Sequence, residues 1–436
     1  MIIDFSLQNF RSIRDEQTIS MTATSLKEHS GNFVGLENEK NISVLKSALL
    51  YGANASGKSN ILQGIETLKL LVYESGDYKL NQGIPHYQPF KLDEKWKTAP
   101  TKFEIEFLNT DQIRYKYSIE YNQKTFLKEE LFFYPNKIEA LLYSIKSDGN
   151  IKFGEYLKGK KQSLASELLE NQLFLSRAAN SNHKQLGAVY SYIADHMLTI
   201  VRGASNLEVP YSFTTDMLLL DGKSDLKERI GEFLKSADTG IRSIEPVKTE
   251  IDIESPKDMP EKLKIAIEKQ STLSVKFKHA VYSDNKEVGE ISLRIDEESD
   301  GTRKLYELSG HIFLAMDIGG TMIIDELDTS MHPLMSEAII KLVHEHKGGE
   351  PEAQLITTTH NTALLNPELL RRDQIWFVEK DKYGATKVFS LAEFDKTEVR
   401  KNTPFEKWYL DGKFGGLPVI RKTFFSRDSG GNSNAS

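Results

Sequence analysis

The chain has 436 residues, of which 39% are hydrophobic, 27% charged and 10% aromatic, and its formal net charge is -7. This length and balance predict a globular protein of two or three structural units, which excludes a peptide-like module and a disordered chain. The acidic balance provides no general positive field for nucleic acid, so any such contact would be local or supplied by a partner.

The absence of cysteines excludes disulfides, thiolate metal sites and cysteine nucleophiles, and the ten histidines show no paired metal-ligand spacing. No segment approaches the roughly 20 consecutive apolar residues of a membrane helix, and the opening residues lack the layout of a signal peptide. We therefore expect a cytoplasmic protein without a membrane partner.

The N-terminal segment, residues 1–75, has the pattern of strands followed by a loop and a helix. Apolar and polar residues alternate over residues 2–10 and 15–24, which predicts two strands. Residues 43–51 predict one buried strand that runs into a glycine-rich loop, and helical spacing follows from Lys58 to about Tyr73. We interpret this segment as the N-terminal lobe of the protein.

The rest of the chain divides into four segments. Short strands with Asn and Gly turns predict an antiparallel β subdomain at 76–150, and helical spacing predicts a mainly helical insertion at 151–270. Strands and helices alternate over 271–425 as in a parallel sheet, and the polar residues 426–436 predict a disordered tail. The predicted fold class is therefore α/β, with a parallel core sheet, a flanking antiparallel β-sheet and a helical insertion.

GANASGKS, residues 52–59, fits the phosphate-loop pattern G-x-x-x-x-G-K-[ST] and lies between a predicted buried strand and a predicted helix. Gly52 and Gly57 would let backbone N–H groups converge on phosphate oxygens, and Lys58 would reach the terminal phosphates. Ser59 would offer its hydroxyl to Mg²⁺, and the helix N-terminus would add a partial positive charge. The loop predicts a site for ATP and Mg²⁺.

An apolar strand over residues 321–324 ends in two adjacent carboxylates, Asp325 and Glu326. One of them can hold magnesium. The other can orient and polarise an attacking water, because phosphoryl transfer to water depends mainly on positioning and charge stabilisation. A solvated turn is the alternative for such a pair seen alone, and the phosphate loop on the same chain favours the site.

Two further motifs can bind anions. A Ser-Asp-Gly-Thr turn, capped by Ser299 or Thr302 and opened by Gly301, precedes an apolar-periodic helix and would expose N–H groups; an ordinary helix cap is the alternative. His360 follows a buried strand, where ligands gather in parallel sheets, and can donate to a γ-phosphate; a structural histidine is the alternative.

These four motifs, in this order, resemble the ABC-type P-loop ATPases of the SMC, RecF and OLD branch. The opening FSLQNFRSI, the loop YGANASGKSN, the SDGT turn, IIDELDTSMHP and the late YLDGKFGGLP are similar to a small bacterial group of predicted ATP-binding proteins, over nearly the whole chain. Members of that group act in phage-defence or abortive-infection systems beside a separate nuclease, and the resemblance implies the same setting here.

The resemblance implies a role for each motif residue. Lys58 and Ser59 are implied to bind phosphate and Mg²⁺, and Asp325 to complete the magnesium site. Glu326 is implied to be the catalytic base, and His360 the switch that senses the γ-phosphate.

The resemblance also implies that two copies share each ATP site. Ser299 and Gly301 would contact ATP bound to the second subunit, with Asp328 in the loop between the two sites. The SDGT turn departs from the LSGGQ form that is common in transporters, and the LSG at residues 308–310 comes too late to replace it.

Four more residues complete the predicted site. Asn54 and Asn60 belong to the YGANASGKSN loop, and we predict that they bind nucleotide. Gln88 could link magnesium to the movement of the lobe, with a surface-loop glutamine as the alternative. Arg11 resembles an N-terminal arginine that lies near the nucleotide in SMC-like proteins, with a plain surface arginine as the alternative.

Three other functions compete with this interpretation. A transporter ATPase would need a membrane partner and normally lacks the helical insertion. A fused nuclease would need a metal cluster around Glu379, but only 57 residues follow it and they contain no Asp-x-Asp. A RecF-like ATPase that binds DNA directly is supported by the basic run at residues 158–162, although charge runs are usually solvated.

The sequence thus predicts an ATP-hydrolysing molecular switch that forms a homodimer or higher oligomer through its ATP sites. Its predicted partner is a separate nuclease or toxin effector in prokaryotic antiviral defence. A RecF-like DNA-repair ATPase that binds DNA ends or junctions directly is the alternative.

Overall fold

A computed structural model describes residues 1–26, 28–36, 42–201, 212–220, 224–249, 272–346, 352–395, 399 and 403–417. The predicted disordered tail at 426–436 lies outside these residues, as do parts of the predicted helical insertion.

The strands and helices are numbered in chain order. The strands are β1 (Ile2–Gln8), β2 (Gln17–Ser20), β3 (Phe33–Gly35), β4 (Ser43–Leu45), β5 (Ser47–Tyr51), β6 (Thr101–Leu108), β7 (Arg114–Tyr121), β8 (Phe126–Phe133), β9 (Ala140–Lys146), β10 (Ile151–Phe153), β11 (Met197–Ile200), β12 (Ile241–Thr249), β13 (Thr272–Ser283), β14 (Lys286–Arg294), β15 (Thr321–Ile324), β16 (Gln354–Thr358), β17 (Ile375–Lys380) and β18 (Thr386–Ser390). The α-helices are α1 (Lys58–Glu74), α2 (Gln162–Ser166), α3 (Phe174–Asn180), α4 (Lys184–Ser191), α5 (Ser212–Leu220), α6 (Ser224–Ser236), α7 (Asp300–Ile318), α8 (Pro333–Glu345) and α9 (Phe405–Leu410).

One sheet is antiparallel and has the strand order β10-β9-β8-β7-β6-β1-β2. One face of this sheet is buried and the other is more exposed, because apolar and polar residues alternate along its strands. In β7, for example, every second residue is buried. β1 and β2 belong to this sheet, so it is not confined to the predicted segment 76–150. β8 is a strand that the sequence reading did not identify.

The other large sheet is parallel except at one edge and has the order β11-β15-β16-β5-β17-β18, with β18 antiparallel to β17. In its inner strands β5, β15 and β16 every residue is buried, because both faces of the sheet are covered. Alternate residues enter different cores: Ile323 packs with the antiparallel sheet and α1, whereas Met322 and Ile324 pack with α7 and α8. These two sheets with their helices confirm the predicted α/β fold class.

Two local predictions differ from the structure. The single strand predicted for residues 43–51 is two strands, because the chain leaves the β3–β4 pair at Lys46 and enters the parallel sheet at Ser47. Part of the predicted helical insertion forms β11, which pairs in parallel with β15 and supplies the edge of the core sheet. A run of four residues has no periodicity that distinguishes it from a helical segment.

A smaller three-stranded sheet, β12-β13-β14, packs beside α7 through Phe277 and Tyr306, whose ring centroids lie 5.3 Å apart. This contact helps to fix α7, the helix that the SDGT turn begins. Within the described part of the chain, we find no helix with the length and apolar composition that spanning a bilayer requires.

Candidate functional site

The predicted chemical motifs meet at one edge of the parallel sheet. β5, β15 and β16 pair in parallel, so their carboxyl ends lie at the same edge. The phosphate loop follows β5, the acidic pair follows β15, and His360 lies two residues after the end of β16. The sheet therefore brings together motifs that are more than 300 residues apart in the sequence.

Both glycines of the phosphate loop are required by close backbone packing. A Cβ atom on Gly57 would lie 2.1 Å from the hydroxyl oxygen of Thr386, and φ is +111° there. A Cβ on Gly52 would lie 2.2 Å from the carbonyl oxygen of Val378. Larger residues would force the loop away from β17 and β18. Gly57 is also the N-cap of α1 and offers no side-chain cap, which leaves N–H groups of the first turn for a ligand.

Lys58 is buried and is held by the loop itself. Its Nζ donates to the carbonyl oxygens of Gly52 at 2.7 Å and Ala53 at 3.1 Å. Burial lowers the pKa of Lys58, and the nearby carboxylates of the acidic strand end oppose that effect. Carbonyl oxygens are weaker partners for an ammonium group than phosphate oxygens, so this lysine is placed to exchange them for a nucleotide.

A hydrogen bond joins Ser59 of the phosphate loop to Asp325 at the end of β15. The Ser59 hydroxyl donates to Asp325 Oδ1 at 3.0 Å, and the Thr358 hydroxyl donates to the same oxygen at 2.6 Å. A hydroxyl and a carboxylate at hydrogen-bond distance are the hard oxygen donors that Mg²⁺ prefers. The residues present therefore fit the magnesium site that the phosphate loop implies.

Glu326 has a left-handed backbone conformation, with φ 53°. Such a conformation costs a residue other than glycine about 1–3 kcal/mol and persists only where its surroundings fix it. Its N–H donates to the Thr358 hydroxyl at 2.7 Å, and its Oε2 accepts from the Thr329 hydroxyl at 3.0 Å. Glu326 lies on the wall of the recess that the phosphate loop also lines.

His360 and Asp328 are joined through the backbone. The His360 N–H lies 3.2 Å from each carboxylate oxygen of Asp328, while the exposed His360 also lines the recess. Asp328 thus orients the loop that carries the histidine.

The recess has a volume of about 430 Å³. It brings together half of the predicted site residues and, outside the phosphate loop, adds one that was not predicted; the predicted residues on its wall are Asn54, Gly57, Lys58, Ser59, Asn60, Glu326 and His360. The addition is Lys380, the last residue of β17, which runs parallel to β5 and so ends at the same edge. A positive residue two positions after the apolar run IWFV was the available signal.

Arg11 and Gln88 lie in a neighbouring recess of about 470 Å³. The Arg11 N–H donates to the Gln88 carbonyl oxygen at 2.7 Å. The two recesses share Asn60 and Lys380 on their walls. Gln88 does not line the recess that contains Ser59, so its role in metal binding stays a prediction. Arg11 and Asn60 line the same recess, which places Arg11 near the phosphate loop.

Ser299 and Gly301 are not on the wall of the recess. Ser299 is the N-cap of α7 and accepts from the Thr302 N–H at 3.1 Å, which confirms the predicted cap. Gly301 lies against the loop that follows the acidic pair, because a Cβ there would be 2.9 Å from the Ser330 carbonyl oxygen. This chain therefore does not bring its own SDGT turn to its own phosphate loop.

Helix α9 and the late motif YLDGKFGGLP, which begins within that helix at Tyr409, contact the same edge. Glu406 of α9 accepts from the hydroxyl of Thr362, two residues after His360, at 2.7 Å. A Cβ on Gly416 would lie 3.7 Å from Gly52 Cα. One C-terminal element thus packs against both the phosphate loop and the histidine loop.

Among known proteins, the sequence pattern of one family matches residues 47–366, and that family is described as "AAA domain, putative AbiEii toxin, Type IV TA system". Among curated proteins, no sequence matches this chain.

Similar solved structures include an Smc head bound to the C-winged helix domain of ScpA, with 14% identity over 91% of this chain and 99% of that one, at a TM-score of 0.44. An SMC head domain from Thermotoga maritima has 13% identity over 89% and 98%, at 0.39. An Smc head with an extended coiled coil, bound to the C-terminal domain of ScpA derived from Pyrococcus furiosus, has 14% identity over 89% and 96%, at 0.39. Similarity this low transfers no residue role.

The family match confirms the predicted resemblance to P-loop ATPases of an abortive-infection group. It spans well over half of the chain and includes the phosphate loop, the acidic strand end and His360. The chain therefore belongs to this family of AAA domains.

Proposed function

We propose that the protein binds ATP with Mg²⁺ and hydrolyses it at sites shared by two copies, and that this cycle controls a separate nuclease or toxin effector in prokaryotic antiviral defence. The observation that carries the proposal is the convergence of Lys58, the Ser59–Asp325 contact, Glu326 and His360 at one edge of the sheet.

Each side chain has a distinct task. Lys58 releases the carbonyl oxygens of Gly52 and Ala53 and binds the terminal phosphates. The first N–H groups of α1 bind the same oxygens. Ser59 and Asp325 would hold Mg²⁺, which supplies neutralisation of phosphate charge when bound.

Glu326 is the proposed base. Its carboxylate orients a water molecule for attack on the γ-phosphorus and accepts a proton from that water as the new P–O bond forms. The bond between the γ-phosphorus and the β,γ-bridging oxygen breaks, and ADP leaves with that oxygen. The Thr329 hydroxyl donates to one oxygen of this carboxylate and so helps to orient it. His360 donates a ring N–H to the γ-phosphate, and Asp328 fixes its loop through the backbone.

Pairing follows from the position of the SDGT turn. The start of α7 provides N–H groups, and Gly301 allows close approach, yet neither faces the recess of the same chain. A second copy can bring its turn to the γ-phosphate, so that ATP bridges two chains. Hydrolysis would remove the bridging phosphate and release the pair.

The proposed output rests on the family description, which pairs an AAA domain with toxin–antitoxin systems. Within the described residues, no group of three or more His, Cys, Asp or Glu side chains could hold a metal ion. A partner that carries the effector chemistry fits both observations. Direct DNA binding of the RecF kind is the second candidate, since basic residues line a recess formed within residues 158–185.

The shared site is tested by mixing two inactive chains, Lys58→Ala and Gly301→Asp. The first lacks the phosphate-binding lysine, and the second adds a negative charge where the γ-phosphate would approach. A mixed dimer has one site with both lesions and one intact site, so the mixture should regain part of the ATP hydrolysis of the wild type.

The matched control is a mixture of Lys58→Ala and Glu326→Gln, whose lesions lie on the same half of the site. Every mixed site is then defective, and no activity should return. If subunit exchange is established and both mixtures are equally inactive, the turn is only a helix cap and the shared site is wrong.

The separate effector is tested with the purified chain alone. We expect slow ATP hydrolysis and intact DNA and RNA in Mg²⁺ or Mn²⁺, measured by gel electrophoresis. Metal-dependent cleavage that co-purifies with the chain and disappears in Glu379→Gln would contradict a separate effector and identify a nuclease site in this chain.

A further inference from the structure

A second basic recess lies away from the nucleotide site. Its volume is about 490 Å³, and it lies between the loop at Lys158–Lys160 and the N-terminus of α4. None of the residues on its wall belongs to the wall of the nucleotide recess. We name it the lysine recess, after Lys158, Lys160 and Lys184 on its wall.

The charge of the lysine recess is uncompensated. Its wall contains no Asp or Glu. Within the part of the chain that the structure describes, none of its three lysines forms an ion pair with a carboxylate. Lys158 Nζ donates only to a backbone carbonyl oxygen, that of Glu155, at 3.2 Å. Three like charges on one concave wall repel each other, and a bound anion would remove that repulsion.

Helix α4 adds backbone donors to the same wall. It has eight residues, Lys184–Ser191, and its N-cap is His183. The N–H groups of Lys184 and Gln185 have no intrahelical acceptor, as in the first turn of any helix. Gln185 also fixes the two walls, because its Oε1 accepts from the Lys158 N–H at 3.1 Å.

His183 is the observation that points to a ligand. Its residue is only 8% exposed, and its Nδ1 accepts from the Leu186 N–H at 3.3 Å. Because Nδ1 is an acceptor, the neutral ring carries its proton on Nε2. Nε2 has no hydrogen-bond partner and is the ring atom nearest to Gly159 on the wall of the recess. A buried donor without an acceptor is costly and rare.

We propose that the lysine recess is a binding site for a phosphate group. A phosphate carries up to two charges and several acceptor oxygens, which match three ammonium groups, the first N–H groups of α4 and the Nε2–H of His183. A carboxylate would satisfy fewer of these donors. The phosphate can belong to a small phosphorylated molecule or to a nucleic-acid backbone, and the experiment separates the two sources.

The test uses the full-length chain with ¹⁵N-labelled histidine, titrated with sodium phosphate at constant ionic strength and pH. The ring signal of His183 reports the lysine recess, and that of His360 reports the phosphate loop, so the two sites are followed separately. We expect a saturable shift of the His183 Nε2 signal with phosphate and no saturable shift with chloride. Loss of the His360 response alone would count against the nucleotide site and not against this one.

Three variants make the test specific. His183→Asn keeps an acceptor for the helix cap but lacks the Nε2 donor, and should weaken phosphate binding about tenfold, measured by calorimetry. The double variant Lys160→Gln/Lys184→Gln should weaken it by at least about tenfold without touching the cap. Lys124→Gln, a change at an exposed lysine elsewhere, should have no effect.

A fluorescent single-stranded oligonucleotide identifies the source of the phosphate. Binding that free phosphate displaces, and that Lys160→Gln/Lys184→Gln abolishes, indicates a nucleic-acid backbone. No oligonucleotide binding with saturable phosphate binding indicates a small phosphorylated ligand. A shift that does not saturate, that chloride reproduces, or that survives the double lysine variant would show a solvated basic face and overturn the proposal.

Discussion

The two ends of the parallel sheet carry similar polar residues in opposite states. At the amino end, the buried Gln354 uses all of its hydrogen-bonding capacity within the chain. Its Oε1 accepts from the Ile2 N–H and the Thr321 hydroxyl, and its Nε2 donates to the carbonyl oxygens of Ile2 and Leu45, all between 2.8 and 3.0 Å. Neither polar atom of the Gln354 side chain is left for a ligand to bind.

Arg371 and Asp373 extend this pattern. Arg371 is fully buried, and its guanidinium donates to both oxygens of Asp373 at 2.7 and 2.9 Å. Its other donors bind the backbone carbonyl oxygens of Thr24, Leu26 and Glu28. The ion pair fastens the N-terminal loop to the start of β17.

At the carboxyl end the hydrogen bonds are replaceable. Lys58 is paired with carbonyl oxygens of its own loop, and Ser59 donates to Asp325 where a cation would enter. Glu326 has a backbone conformation that costs free energy. The comparison shows that polar residues alone do not distinguish a structural end from a functional one. What distinguishes the two ends is how completely their polar side chains are hydrogen-bonded within the chain.

Lys58→Ala should produce the largest effect at the open end. Loss of the ammonium group should weaken Mg-ATP binding by at least about a hundredfold, because several charge-assisted contacts to phosphate disappear together. Thermal denaturation should change little, since the lysine is bound only to loop carbonyls. Calorimetry with ATP and a melting curve measure both quantities.

The control for this change is Lys69→Ala on the same helix. Lys69 donates to the carbonyl oxygen of Met197 at 2.6 Å and so joins α1 to the edge strand β11. This variant should lose stability and keep ATP affinity. If Lys58→Ala instead unfolds the chain and binds ATP normally when folded, the assignment of the open end is wrong.

Arg371→Ala should produce the largest effect at the closed end. It leaves the carboxylate of Asp373 buried without its partner, which costs about 3–5 kcal/mol. Urea denaturation should show this loss, while ATP affinity at a temperature where the variant is folded should be unchanged. Arg294→Ala breaks an exposed ion pair with Asp296 and should cost less than about 1 kcal/mol. Equal effects of the two substitutions would contradict the contrast between the ends.

The sequence predicted the open end better than the closed end. The phosphate loop and the acidic pair have fixed local spacing, because their chemistry requires particular residues next to each other. Gln354, Arg371 and Asp373 have no such spacing, since their partners lie up to 352 residues away. Pairings of this kind become visible only when the strands are assembled.

The fold shows the same division. The strand–loop–helix unit at residues 43–74 was predictable because its burial and helical periodicity are local. The passage of the chain from one sheet to the other at Lys46 was not predictable, because it depends on the pairing of β4 with β3. β11 was missed because four residues beside a helical segment give too short a pattern. Lys380 was missed because its importance depends on β17 lying next to β5.

The pH dependence of stability offers the smallest and most local test of the closed end. His344 is buried, and its Nε2 lies 2.8 Å from Ser47 Oγ and 3.1 Å from Gln374 Nε2. The amide nitrogen of Gln374 can only donate, so Nε2 must be an acceptor and the ring neutral. Burial, with smaller contributions from the positive charges of Lys46 and His29, lowers the pKa of His344 to about 3.

The sign of the effect follows from the two states. In the unfolded chain His344 binds a proton near its ordinary pKa of 6.5, whereas in the folded chain it stays neutral until about pH 3. Its contribution to stability is therefore complete above about pH 6.5 and falls as the pH drops towards 3, by up to about 1.4 kcal/mol per pH unit. Urea unfolding between pH 7.5 and 4.5 measures this slope, to which the buried His311 also contributes because its pKa is lowered to about 4.

His344→Gln cannot be protonated and should reduce the slope relative to the wild type, even if it lowers stability at every pH. An unchanged slope would mean that folding does not lower the pKa of His344, and it would contradict the buried, neutral ring described for the amino end.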